Sequence, residues 1–285
     1  MQIYQSMVCR KLIHKVAHMF GFEKSAHSFM FENAYKSSRL NGVSRKGKRL
    51  MQVTGVPRSG TTLLLSMIGS LPSVFPLSEP FLQYAKEGKI EFSVGRRESI
   101  KMKNLSAVLK KSFSKKRCDI VVFKETFRTD NHPHFGTFNF IKKNHESKTV
   151  DKTIVVIRDP RDVWSSVIKR HPQLKSNFAV FGETIHAWNT CVGWAIDEGV
   201  PFVKYEDLVS DLNLMQDLAN DLGIADCSRT RNLLQISGKG DKKGLQGGRV
   251  TSQSVGTHKE VLDRKTCHSI KNFCEEKMIR LDYKI

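Results

Sequence analysis

Several features that would fix the class of this chain are missing. Six cysteines (Cys9, Cys118, Cys191, Cys227, Cys267 and Cys274) are scattered through 285 residues, with no C-x-x-C pair and no zinc-ligand spacing. That argues against a structural zinc module, and the scatter reads as buried, reduced thiols rather than a disulfide framework. No run of about 18 apolar residues occurs, so no membrane-spanning helix is predicted. A secretory hydrophobic segment is also missing. Together these absences predict a soluble, cytoplasmic chain. Acid is scarce: 28 Asp and Glu stand against 47 Lys and Arg, a formal net charge of +19. Such a balance favours an anionic partner (a nucleotide, an acidic polysaccharide, nucleic acid or an anionic membrane) without choosing among them.

What is present is enough apolar sequence to bury a sizeable core, 39% of residues, at a length that suits one domain. Strand-like and helix-like stretches alternate, which predicts a single α/β domain with a central parallel sheet flanked by helices. The organising stretch is 51–71. An apolar strand at 50–53 runs into Gly55, Val56, Pro57, Arg58, Ser59, Gly60, Thr61 and Thr62, followed by the apolar run Leu63, Leu64, Leu65, Met67, Ile68 and Leu71. Strand, glycine-bounded loop and helix form a phosphate cradle: glycines let backbone amides turn inward, and the helix N-terminus adds a positive dipole end. The spacing is that of the Walker A loop, except that Thr61 stands where the lysine belongs. Without that lysine, γ-phosphoryl transfer is poorly supported. A P-loop-like cradle for a simpler phosphate remains, lined by amides, by the hydroxyls of Ser59, Thr61 and Thr62, and by Arg58.

Further along, residues 1–22 place Ile3, Met7, Val8, Leu12, Ile13, Val16, Met19 and Phe20 at helical spacing among basic residues. They read as a helix packed on the domain or as a basic amphipathic helix on a membrane surface. A basic linker follows over 36–49, so the chain divides into a basic helix and linker over 1–49 and an α/β domain over 50–285. Prolines in 71–81 break the first helix and return Glu79 toward the cradle. The charged stretch 86–117 is predicted helical around 100–113. Residues 118–126 form a second buried strand that ends near Lys124, at the edge where α/β sheets put their sites. His132 and His134 follow in a loop. The apolar strand at 152–157 leads into Arg158, Asp159, Pro160, Arg161 and Asp162, a helix start, with Ser166 eight residues beyond Arg158. An arginine and a hydroxyl so placed can converge on one phosphate. A helix carrying Trp188 and Trp194 is predicted over 178–198, a strand and helix start around Tyr205, Glu206 and Asp207, a basic Gly- and Lys-rich loop over 237–257, and a terminal helix over 259–281.

Taken in order, these motifs resemble the sulfotransferases that use 3′-phosphoadenosine 5′-phosphosulfate (PAPS). Pro57 to Thr62 resembles their 5′-phosphosulfate loop, and Arg58 makes it more similar to the carbohydrate and tyrosylprotein branches than to the small-molecule branch, which has lysine there. In those branches a glutamate about twenty residues past the loop arginine, often before a proline, is the base; Glu79 matches in spacing and context. Lys124, Glu125 and Thr126 stand where the small-molecule enzymes carry Lys-Thr-His, so a histidine base is unavailable there. Arg158 and Ser166 match the 3′-phosphate site, and Tyr205 to Leu208 resembles the family's recurrent Tyr-Glu-Asp-Leu. The resemblance implies sulfuryl transfer from PAPS to a hydroxyl, most similar to carbohydrate sulfation, with Glu79, Arg58 and Lys124 catalytic. It implies a donor site of Arg58, Ser59, Gly60, Thr61, Thr62, Arg158, Ser166 and Tyr205, with Arg249, Ser252 and Ser254 from the basic loop and no metal. A saccharide is then the expected acceptor, nucleic acid is not a partner, and residues 1–22 are the place for any membrane contact. Two rivals stand beside this reading: a P-loop kinase-like phosphotransferase and a non-catalytic basic anion-binding protein. The family's Gly-x-Trp is replaced by Gly256, Thr257 and His258.

Overall fold

Apolar, β-branched runs alternate with amphipathic ones, and the chain builds strands and helices in turn. The computed structural model describes residues 47–81, 90–94, 98–102, 118–129, 136–210, 214–223, 245–246, 249–250 and 252–285, with backbone alone in the short strands at 90–102 and 245–250. In chain order the first elements are β1 (Arg49–Gly55), α1 (Thr61–Gly69), β2 (Val74–Ser78), β3 (Ile90–Val94), β4 (Glu98–Met102), β5 (Ile120–Thr126), α2 (Phe138–Glu146) and β6 (Lys152–Ile157). Then follow α3 (Pro160–Arg170), α4 (Phe178–Asp197), β7 (Phe202–Lys204), α5 (Tyr205–Ser210), α6 (Leu214–Asp221), β8 (Leu245–Gln246), β9 (Arg249–Val250), α7 (His258–Val261) and α8 (Arg264–Arg280).

Five strands form the central sheet in the order β2-β5-β1-β6-β7, with every neighbouring pair parallel. Both faces are covered, which is why β1, β5 and β6 read as near-continuous apolar runs. Alternate residues serve opposite cores. Leu50, Val121, Phe123, Val155 and Ile157 pack with α3, α4 and α8, against Val163, Trp164, Trp188 and Ile270. Met51, Val53, Ile120, Val122, Ile154 and Val156 pack with α1, α5 and α6, against Leu63, Leu64, Leu208 and Leu218. The helices after β1 and β6 therefore lie on opposite faces. Their connections diverge at the C-terminal ends of those neighbouring strands, the topological switch point where α/β sheets bind ligands.

Two stretches differ from the sequence expectations. Within 71–81, residues Val74–Ser78 form an edge strand paired to β5, and an edge accommodates Pro76 because one side of its backbone needs no ladder bond. Within the stretch expected to be helical around 100–113, Ile100 to Met102 belong to β4, which pairs antiparallel with β3. The sequence shows why: Ile90, Phe92 and Val94 alternate with Glu91 and Ser93, and Ile100 and Met102 with Ser99 and Lys101, a period of two rather than 3.6. Residues 1–46, His132 and His134 lie outside the described residues, so the expected N-terminal helix and most of the linker do too. Among the described residues no helix is long and apolar enough to cross a membrane. Cys118, Cys191, Cys267 and Cys274 carry free thiols.

Candidate functional site

The turn from β1 into α1 is made by backbone that few residues tolerate. A Cβ on Gly55 would run into Ser59 Oγ and the Val156 carbonyl. Arg58 has φ of 73° and Gly60 of 101°, both left-handed. Gly60 lies against the face of Tyr205, so a side chain there would overlap the ring. Ser59 is fully buried, and its hydroxyl and amide both donate to Val56 O, at 2.8 Å and 3.1 Å, closing the turn. Thr61 is buried and Thr62 half-buried. Gly60 offers no side chain to cap α1, and the first turn of the helix carries no acid. Orphan amides at such a start attract an anion.

Positive charge meets this opening from β5. Lys124 Nζ donates to Thr62 Oγ1 at 3.2 Å and lies 3.5 Å from Glu79 Oε1. Glu79 arrives there because the chain leaves β2 through a left-handed residue, φ 48°, whose amide donates to Lys124 O at 2.7 Å. The Thr126 hydroxyl donates to Glu79 Oε1. The Glu79 side chain keeps 16% of its surface exposed and Lys124 8%, so the pair sits at the switch point, within reach of solvent, rather than in the core. Thr62, Lys124, Glu79 and Thr126 thus form one connected group, drawn from α1, β5 and the end of β2.

The other rim is β6–α3. Arg58 Nε donates to Ser166 Oγ at 3.0 Å, bringing the exposed loop arginine onto α3. Arg158 turns inward and is only 3% exposed. Its guanidinium donates to Arg58 O at 3.1 Å and to Ser254 O, and stands 4.4 Å from the Tyr205 ring centroid. Its Nε is buried with no partner. Arg158 therefore ties the β1–α1 loop to the chain at Ser254, and Arg58 is the arginine that meets Ser166. Tyr205 is buried and its hydroxyl bonds Ser254. Ser252 is exposed, and the side chain of Arg249 lies outside the described residues.

Carboxylates fill the rest of this rim. Asp159 caps α3 by accepting from Arg161 N at 2.8 Å and pairs with its guanidinium at 2.6 Å. Asp162 accepts from Gly256 N, His258 N and His258 Nδ1 at 2.6, 2.9 and 2.8 Å. Burial opposes its charge, but the hydrogen bonds from His258 and the nearby Arg158 outweigh that and hold its pKa below the usual range. Glu206 accepts from Asp159 N at 3.0 Å and from the Tyr283 hydroxyl at 2.9 Å, and burial raises its pKa.

This architecture has relatives among solved structures. A sulfotransferase domain from the Synechococcus PCC 7002 olefin synthase superposes with a TM-score of 0.55 at 15% identity, over 84% of this chain and 96% of that one. The fold is that of sulfotransferase domains. A mouse sulfotransferase complexed with PAP (TM-score 0.48, 16% identity, 88% of this chain and 90% of that one) and a sulfotransferase domain from the curacin biosynthetic pathway (0.48, 13%, 84% and 99%) are also similar. No protein-family model matches the chain, and no curated protein does.

Three parts of the site have no role in the sequence reading. Thr126 was noted only as the residue standing in for histidine, yet it holds the Glu79 carboxylate. Glu125 is a fully buried acid close behind the apolar run of Ile120 to Phe123, and that position was the available signal. The partnership of Asp162 with Gly256 and His258 spans some 94 to 96 residues and has no local signature.

Proposed function

We propose that this chain transfers a sulfuryl group from PAPS to an acceptor hydroxyl, with Glu79 as the base. The observation that carries the reading is the convergence of Thr62, Lys124 and Glu79 at the uncapped start of α1. An anion placed against the first-turn amides would lie beside the Lys124 ammonium, with a carboxylate next to it. In this reading the amides at Gly60, Thr61 and Thr62 hold the 5′-phosphate. Arg58 and Ser166 form the second anchor, for the 3′-phosphate, with Arg158 adding positive charge from beneath and Tyr205 supporting the loop at Gly60. The resemblance of the loop and of the Arg158–Ser166 spacing to PAPS enzymes supports this, as does the shared fold.

The step balances simply. The acceptor O–H gives its proton to the Glu79 carboxylate as its oxygen bonds to sulfur. The bond from sulfur to the 5′-phosphate oxygen breaks, and its electron pair stays on that oxygen. Lys124 and the loop amides stabilise the developing charge, the task that magnesium and lysine share in phosphoryl transfer. Thr126 holds Glu79 in place. A saccharide is the proposed acceptor: Arg58 with Glu79 is the combination that resembles the carbohydrate branch, and a net charge of +19 suits an acidic one.

Calorimetric titration with adenosine 3′,5′-bisphosphate, ADP and ATP, with magnesium chelated, tests the donor site. Tight binding of the bisphosphate alone is expected; preference for ATP restored by magnesium would replace the reading with a kinase. Sulfur-labelled PAPS with saccharide, phenol and lipid-alcohol acceptors then finds the acceptor. Glu79→Gln should keep bisphosphate affinity while lowering turnover by about 10²- to 10⁴-fold; normal turnover would remove Glu79 from the role.

A further inference from the structure

Glu125 is fully buried beneath the site. Its Oε1 accepts from the Phe81 amide at 2.7 Å, and its Oε2 has no partner among the described residues. Phe81 is two residues past Glu79, whose own amide donates to Lys124 O. The turn carrying the base is thus fastened to β5 twice, once by backbone and once by the Glu125 side chain. Three charged groups face Glu125: Glu79 from the end of β2, Lys124 from the same strand, and Arg128 just beyond it. Burial, reinforced by Glu79, pushes the Glu125 carboxyl up to about 8, against the Phe81 hydrogen bond, Lys124 and Arg128.

We propose that Glu125 is a positioning residue for the sulfuryl transfer proposed above, holding the 79–81 turn from below so that the Glu79 carboxylate meets the acceptor. Its acceptor atom does this, and its charge does not. Burial favours the uncharged acid, and a glutamine reproduces that form: same length, one oxygen for Phe81 N–H, no charge. Aspartate keeps the acid but falls short by one methylene.

Four proteins test the idea: wild type, E125A, E125D and E125Q, assayed with sulfur-labelled PAPS and the best acceptor. Misplacing a catalytic group by about 1 Å costs on the order of 10²-fold. E125A and E125D should therefore lose about 10- to 100-fold in kcat with the KM for PAPS unchanged, and E125Q should restore most of the loss. Wild-type kcat in E125A, or activity in E125D that E125Q lacks, would overturn the proposal, the second by showing that charge is what matters.

Two further readouts need no activity. Hydrogen exchange at the Phe81 amide should quicken in E125A and stay slow in E125Q; equal exchange in both would overturn the clamp. The Glu125 carboxyl is raised in the folded chain from the ordinary 4.5 toward about 8, so the stability it contributes is fully present below pH 4.5 and is lost as pH rises toward about 8. E125Q should lack that part of the fall in thermal midpoint, and an unchanged profile would overturn the buried neutral acid. If wild type transfers no sulfuryl group to any acceptor, the function reading fails by itself, while exchange at Phe81 still decides whether Glu125 holds the turn.

Discussion

α1 and α3 both follow a parallel strand at the switch point, and they treat their N-termini in opposite ways. α1 starts at a glycine with no side-chain cap, has no acid in its first turn, and faces Lys124. α3 starts at Asp159, which caps it, carries Pro160 at its first position, and has Asp162 in its first turn. Both carboxylates there are occupied by the chain's own donors, Arg161 on one side and Gly256 with His258 on the other. A helix start attracts anions only where the protein has not already supplied one. Of these two starts, only that of α1 is left for a substrate. The α3 rim is structural below and adds the Ser166 hydroxyl above, where Arg58 meets it.

The largest effect should come from making α1 resemble α3. Thr62→Asp puts an acid into the open first turn, within reach of Lys124. Bisphosphate affinity should fall on the order of a hundredfold in calorimetry, because the new carboxylate both repels the ligand and occupies its cation. Thr62→Ser keeps the hydroxyl and should bind normally. Full affinity in the aspartate variant would mean that α1 does not hold the anion, and the contrast between the starts would lose its functional meaning.

Arg158→Ala comes next, and it sharpens the comparison by cutting the link between the rims. The buried guanidinium donates to carbonyls of Arg58 and Ser254 and stacks on Tyr205. Hydrogen bonds from a charged group to protein are worth about 1.5–3 kcal/mol, so urea unfolding should show a loss of about 2 kcal/mol. Nucleotides with a 3′-phosphate should lose more affinity than those without, since the Arg58 anchor shifts with its carbonyl. An equal loss for both would make Arg158 a structural tie and nothing more.

How much of this was legible depends on how local each signal is. β1, the loop through Thr62, and the passage from β6 into α3 could be read because doubly covered parallel strands are apolar throughout, and Gly and Pro punctuate their ends. Glu79 could be placed near the cradle by spacing, but the strand that delivers it was hidden by Pro76, which only an edge position accommodates. The hairpin of β3 and β4 was obscured by its charged residues, although its alternation was on view. Least legible were contacts between distant residues. Arg158 and Ser166 sit eight apart and suggest a pair, yet the arginine on Ser166 is Arg58, 108 residues away, and Arg158 is buried beneath it. Single residues next to strand ends do not announce which way their side chains turn.

The smallest effect is the mirror of the first, opening α3. Asp159→Ala removes the cap from Arg161 N and the partner of its guanidinium. Losing an N-cap costs about 1 kcal/mol, and the loss of a mostly buried ion pair adds to it. Some of that is offset, because Asp159 is also a negative charge near Glu206, whose carboxyl is already raised by burial. The Asp159 amide still donates to Glu206, so the backbone of the turn stays in place. A thermal midpoint a few degrees lower is expected, with bisphosphate affinity unchanged within about twofold, because Asp159 is not among the groups proposed to hold the donor. If affinity fell as far as in Thr62→Asp, the two starts would be parts of one anion site, and the Asp159 carboxylate would be organising the donor pocket rather than closing the lower part of a rim that meets the proposed donor only at Ser166.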